Sequence, residues 1–575
     1  MKYMKLGTKP DIFYTEEASR AVVSDVPSDL VVKVGNTTFH LHKHVLLPRC
    51  ALLRRLCSSP EDSNPITIDL HDIPGGEEAF ELCAKFCYGI TINVSAHNFV
   101  SALCAAKFLR MTESVEKGNL VAKLEAFYSS CIVQGWKDSL VVLQSTALIP
   151  EWSENLGIIR RCIDSIVEKI VTPTSKVTWS YTYTRPGYAK EQHQSAPKDW
   201  WTEDISNLNI DIFRGIITTL KSTNILPPQL IGEALHVYAY RWLPISKSRN
   251  NSEAIQDDAA EKNRRVLEMI VSLIPAEAGS VSVGFLMKLL NIANLLGVSP
   301  VTKAELVRRT SQQLEEATVN DLLLPSHSST TQKTYDIDLI KVVLESFLEQ
   351  QRRQSLPDGI SLRAIRTVGK LIDAYLQVVA RDANVPVSKI ASLAEALPPA
   401  ARPMHDDLYK AINIYLKEHP DMTKEEKKQL CRALDCQKLS AETRAHVVKN
   451  EQLPLRTVVQ VLFYEQEKCS GHAASELQHQ ESLEQASRSQ TVDNELRLRH
   501  KKNMSKEVGM SSIDRSSSRS YHTRRTKSQE TLNIEPHKHG IVIDARREVE
   551  PGRGTEIEEI HASRSDIKHT RLGRS

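Results

Sequence analysis

The sequence predicts an α+β domain, then a large all-α helical domain, then a polar, locally basic tail that is disordered in isolation. Three observations carry that prediction. Near the start, two β-branched runs are split by Gly35 and Asn36, which is a hairpin signal. Through residues 199–466, apolar residues recur at three- and four-residue spacing, the period of a helix with one buried face. Beyond about Glu467 the periodicity fades and Ser, Arg, Gln and His take over. The chain accordingly divides into an N-terminal segment 1–27, an α+β domain 28–127, a helical extension and linker 128–198, a helical domain 199–466 and a tail 467–575.

In the first domain the hairpin occupies DLVVKVGNTTFHLHKHVLL from Asp29, and a third short strand, Ile66 to Leu70, follows a polar loop. The period then changes. Ala79, Leu82, Cys83, Phe86 and Cys87 line one helical face, and Val100, Leu103, Cys104 and Phe108 line the next. Between Thr172 and Lys198 lies a polar stretch with Pro173, Pro186 and Pro197 and no sustained helical face, which reads as a linker or long loop.

The helical domain repeats the three-four spacing in Phe213, Ile216, Ile217, Leu220; in Leu286, Leu289, Leu290, Ala293; in Ile340, Val343, Leu344, Phe347; and in Val368, Leu371, Ile372, Tyr375. The same spacing returns at Leu408, Ala411, Ile412, Tyr415 and Leu416. Thr423 with Glu426 forms a capping box that opens a further helix. No fixed-period repeat is present, so a solenoid of helix pairs stays open as an alternative. Polar interruptions at 247–262 and 326–334 read as mobile insertions. Leu455, Val458, Val459, Leu462 and Phe463 form a final apolar stripe, expected to be buried as core.

Composition narrows the function classes. The 575 residues exceed one core, and their 74 basic and 71 acidic residues leave a net charge of only +3, which excludes a polyelectrolyte nucleic-acid binder. The ten cysteines fall mostly inside apolar helical patterns and read as reduced core thiols. Cys83-x3-Cys87 and Cys431-x4-Cys436 lack the second pair that a zinc module needs, and no metal or cofactor site is expected. His40, His42 and His44 alternate on one strand face without metal-site partners. No Walker loop, G-x-G-x-x-G, H-E-x-x-H or G-x-S-x-G occurs, so no catalytic residue is expected. The N-terminal residues hold no apolar stretch of secretory length, and nowhere do about 18 apolar residues run together, so an intracellular protein is expected.

Two further features invite modification or binding. Tyr409 and Tyr415 lie on or beside an apolar face, either as core tyrosines whose hydroxyls reach the surface or as phosphorylation sites. Residues 497–527 carry ten Lys or Arg, among them Arg497, Arg499, Lys501, Lys502, Arg524 and Arg525, against Glu507 and Asp514, a local charge of about +8. That segment reads as a solvated tail, a contact for anionic lipid, or a nuclear-targeting signal. Arg524-Arg525-Thr526-Lys527-Ser528 places arginines upstream of Ser528, with Thr526 beside it, as basophilic kinases prefer; a phosphate there would cut the local charge by about 1.5 to 2.

Several stretches carry a resemblance. Asp29, Phe39-x-Leu41-His42-Lys43 with Leu46 and Leu47, KFCYG at Lys85 to Gly89, and CAAKFLRM at Cys104 to Met111 together resemble the BTB/POZ domain. PKDWWTEDISNLNIDIFRGIITTLKS, LPPQLIGEALHVYAYRWLP, DDLYKAINIYLKEHP and the stretch from Leu430 to Gln466 resemble the large plant-specific domain of the non-phototropic hypocotyl and root phototropism proteins. The resemblance implies a non-catalytic, substrate-specific adaptor for a ubiquitin ligase built on a cullin of the third type. The BTB domain would dock the cullin and form homo- or hetero-oligomers, and the helical domain or tail would choose the substrate. The alternative is a plasma-membrane signalling scaffold for photoreceptor or polarity kinases, held at the membrane periphery by the basic tail. Light-driven bending and auxin-dependent organ formation are both themes of the family.

Overall fold

The computed structural model describes residues 2–58, 65–186, 188, 195–244, 257–326, 335–353 and 358–467. The insertion read at 247–262 lies outside them up to residue 256, and the one at 326–334 lies outside them from 327 on. The tail lies outside them from residue 468.

Two strands form where the hairpin was expected. β4 (Leu30–Val34) and β5 (Thr37–Leu41) pair antiparallel, with Val34 opposite Thr37 across the two-residue turn. Gly35 adopts φ +57°, the positive angle such a turn asks of its first central residue. β6 (Ile66–Asp69) adds parallel to β4. The N-terminal segment contributes three strands that its sequence did not announce: β1 (Tyr3–Leu6), β2 (Phe13–Glu16) and β3 (Ser19–Val22). β3 runs parallel to β5, giving a five-stranded sheet in the order β2-β3-β5-β4-β6. β1 instead pairs antiparallel with β7 (Ile92–Ser95) in a separate two-stranded sheet. These strands are four residues each and none holds a fully buried residue, so alternation of apolar and polar residues is too brief to see in sequence.

The helix Gly76–Tyr88 covers the sheet, its Phe80 ring standing edge-on to Phe39 at 4.8 Å, and both rings are fully buried. Gly89 at φ +73° ends that helix as a left-handed cap, which explains the glycine in KFCYG.

From there the helices stack in two rows. In the first row each helix packs on the next: Phe99–Phe108, Trp136–Ser145, Ile158–Val171, Ile210–Thr223, Asp257–Leu273, Pro300–Gln312, Ile337–Arg353, Val387–Ala396 and Lys424–Leu430. The second row runs through Val283–Leu296, Val319–Leu322, Asp358–Val379 and Asp406–Glu418. The stack is a solenoid-like array without a sequence repeat. A row of helices needs only one apolar face per neighbour, so the register of apolar positions can change from pair to pair. The apolar faces read from sequence point inward: Phe213, Ile216, Leu290, Val343, Phe347, Val368, Leu408 and Ile412 are all buried. The Thr423–Glu426 capping box forms as expected.

The stretch read as a linker is anchored where it is described. Trp179 and Tyr181 stand against Trp200 at 5.6 and 5.5 Å, and Trp136 meets the same ring at 4.6 Å. Beneath them the buried Asp204 accepts from Trp136 Nε1 at 2.7 Å, from Lys137 Nζ at 2.6 Å and from the Thr182 backbone N–H at 3.2 Å. The segment is extended and contributes side chains singly, so it has no helical face to read. Farther along, Arg402 forks onto Asp373 with Nε at 2.9 Å and Nη2 at 2.7 Å, both side chains being 5% exposed.

Asp204→Ala should strand the Trp136 indole N–H and lower stability by about 3 kcal/mol. A urea titration followed by tryptophan fluorescence checks this; an unchanged midpoint would refute the anchoring role.

Candidate functional site

The protein has two surfaces of interest: the first domain with its signature residues, and the end of the helical array. In the first domain, Asp29 Oδ1 accepts the Lys43 backbone N–H at 2.7 Å, tying the start of the sheet to the helical turn after β5. Phe39 is core. His42 is 3% exposed and uses both ring nitrogens. Nε2 lies 2.8 Å from the Val26 carbonyl, which can only accept, so Nε2 carries the proton. Nδ1 then accepts from the Tyr88 hydroxyl at 2.8 Å, and that hydroxyl accepts the His42 backbone N–H at 3.0 Å. Burial pushes the Tyr88 phenol up and keeps it a donor. Asp29, Phe39, His42 and Lys43 are thus the internal bracing of this domain, and no polar group of His42 is left for a ligand. Among the described residues no cluster of His, Cys, Asp or Glu is arranged to hold a metal, and the nine described cysteines are free.

Tyr409 and Tyr415 sit on the helix Asp406–Glu418, 4% and 2% exposed. Their hydroxyls do not reach the surface. Tyr409 Oη bonds His446 Nδ1 at 2.7 Å and accepts from Asn450 Nδ2 at 3.1 Å, while Tyr415 Oη donates to the Val385 carbonyl at 2.6 Å. Burial raises the Tyr409 phenol and pushes Tyr415 up to about 12. A kinase acting on Tyr409 must first open the contact to the helix Ala441–Lys449, and one acting on Tyr415 must break the bond to the Val385 carbonyl. His405, which precedes the tyrosine helix, takes the Asp435 N–H on Nδ1 at 3.1 Å, and its backbone N–H donates to the Lys438 carbonyl at 2.9 Å. Burial, with Arg402 and Lys438 nearby, holds His405 down at about 4. Thr526, Ser528 and the basic residues Arg497, Arg499, Lys501, Lys502, Arg524 and Arg525 lie outside the described residues.

The last helical run, 455–467, corrects one expectation. The stripe expected to be core faces out instead: Leu455 is 78% exposed, Phe463 62%, Leu462 47% and Val459 36%. The buried face is Thr457 and Val461, with Val458 partly covered. Arg444, bonded to Glu465 and to the Leu439 carbonyl, holds the helix against Ala441–Lys449. The sequence signal was there. Six of the seven residues from Val458 to Tyr464 are apolar or aromatic, more than a single face of a helix can bury.

A small sheet braced by helices and continued by a helical array is the architecture of an adaptor-type protein of the BTB class. The comparisons agree. Residues 23–121 match the BTB/POZ domain model and residues 199–443 match the model of the NPH3 family. A BTB/POZ domain-containing protein of Arabidopsis thaliana is 63% identical over 489 residues, covering 84% of this chain and 88% of that protein. The Phototropic-responsive NPH3 family protein NPY2 of Arabidopsis thaliana is 42% identical over 83% of this chain and 78% of its own length. Root phototropism protein 3 of Arabidopsis thaliana is 36% identical over 82% of this chain and 78% of its own. No solved structure matches. The chain belongs to the NPH3 family of BTB/POZ proteins.

Tyr88→Phe should leave Nδ1 and the backbone N–H of His42 without their shared partner, at a cost of about 2 kcal/mol read as a lower thermal midpoint. His405 supplies a pH test. Its folded value lies below the ordinary histidine value of 6.5, so the unfolded chain binds more protons between about pH 6.5 and 4. Its contribution to stability is present above pH 6.5 and is lost as the pH falls toward 4. His405→Asn keeps an acceptor for the Asp435 N–H and should flatten that part of the stability profile; an unaltered slope would contradict the assignment.

Proposed function

We propose that the protein is a substrate-specific adaptor of a cullin-RING ubiquitin ligase of the third cullin type. The observation that supports this reading is the arrangement of the chain: a braced BTB/POZ domain followed by a packed helical array, with no metal-holding cluster among the described residues. Ubiquitin transfer is performed by the conjugating enzyme that the RING subunit recruits, so an adaptor needs two binding faces held at a set distance and no nucleophile. In this reading residues 28–127 dock the cullin, 128–198 join the two parts, and 199–466 with the tail 467–575 recruit substrate. A dimer through the first domain would offer two substrate sites and a gain in avidity.

The second reading is a plasma-membrane scaffold for photoreceptor or polarity kinases, acting without ubiquitination. It rests on the +8 segment at 497–527, with Thr526 and Ser528 as phosphorylation sites that release it from anionic lipid. Tyr409 and Tyr415 would be modified only in a locally opened state.

The full chain should bind the amino-terminal region of a third-type cullin in a pull-down confirmed by calorimetry, in the micromolar range or tighter. Absence of binding at high micromolar protein would overturn the ligase reading. Vesicle pelleting tests the scaffold reading, which expects recovery on anionic lipid that falls as salt rises; equal recovery on neutral and anionic vesicles removes it.

A further inference from the structure

The exposed face of the helix 455–467 is an apolar surface with a partner to find. Leu455, Val459, Leu462 and Phe463 follow the four-three spacing of a helix seam. The opposite face already covers its own side of the array through Thr457 and Val461. The helix therefore carries two apolar faces, of which the fold uses one.

Charge decides what fits the other. Arg456 and Glu467 lie eleven residues apart on the same flank of the seam, both exposed and neither in an ion pair among the described residues. Glu465 is already held by Arg444. A flank that carries a positive and a negative group spaced along it complements itself when a second copy lies antiparallel. In the register that sets Val459 against Leu462 of the second copy, Arg456 lies two residues, about 3 Å of helical rise, from the level of the opposing Glu467. Two-fold symmetry makes each contact twice.

We infer that this face is a self-association surface, on which two copies of the chain pair their 455–467 helices antiparallel. The apolar area offered is on the order of 400 Å² per copy, about half of the ~800 Å² per partner in a stable interface. The contact is accordingly weak on its own and responds to local concentration. It goes beyond the adaptor reading and does not depend on it, since it involves neither the cullin nor the first domain.

The test uses the full chain with photo-reactive benzoylphenylalanine at position 459. Irradiation at micromolar concentration should give a covalent dimer whose linked peptides join 459 of one copy to the 460–464 region of another. Arg456→Glu or Glu467→Arg alone turns two attractive pairs into two repulsive ones and should lower the yield about fivefold, and combining them should restore it. Both positions are exposed, and circular dichroism confirms that the variants fold. Cross-links to residues 468–575 of the same chain, no covalent dimer, or a yield indifferent to the charge swaps would each overturn the inference. Whether the first domains also pair does not alter these readouts, because the linked peptide reports the helix contact itself.

Discussion

The buried carboxylate of Asp204 is the constraint on which the two halves of this protein depend. It gathers an indole N–H from the helix Trp136–Ser145, an ammonium from Lys137 and a backbone N–H from the 172–186 segment, under a roof of Trp179, Tyr181 and Trp200. A buried carboxylate is costly unless its oxygens are filled, and here three donors from two elements fill them. The result is that the helix Trp136–Ser145, the 172–186 segment and the start of the helical array are tied together at one buried carboxylate.

The array itself is built from weak sequence regularity. Each helix needs only a stripe for the neighbour before it and another for the neighbour after it, so the chain can vary the period and still stack. The Arg402–Asp373 fork and the His405 contact to the 435–438 turn pin the far end of the array, beside the buried Tyr409 and Tyr415. Family wording in DDLYKAINIYLKEHP is thereby given a structural role: both tyrosines close hydrogen bonds inside the domain.

Residues that look functional in sequence divided sharply in the structure. Asp29, His42 and Lys43 are bracing, and the cysteine pairs show no metal arrangement among the described residues. Leu455, Val459, Leu462 and Phe463, which read as core, are surface. The reversal has a plain cause. Periodicity reports that a face is apolar; it does not report whether the fold supplies something to cover it.

The sequence by itself determined the class of each domain, the hairpin at Gly35–Asn36, the helical faces from Phe213 to Leu416 and the Thr423 cap, because these depend on contacts within a few residues. Tertiary structure alone decided where β1 and β3 pair, that the 172–186 stretch is anchored, and which side of the last helix is buried. Those outcomes rest on partners 19 residues away for β3, about 90 for β1 and 68 for Trp136, beyond the reach of any local pattern.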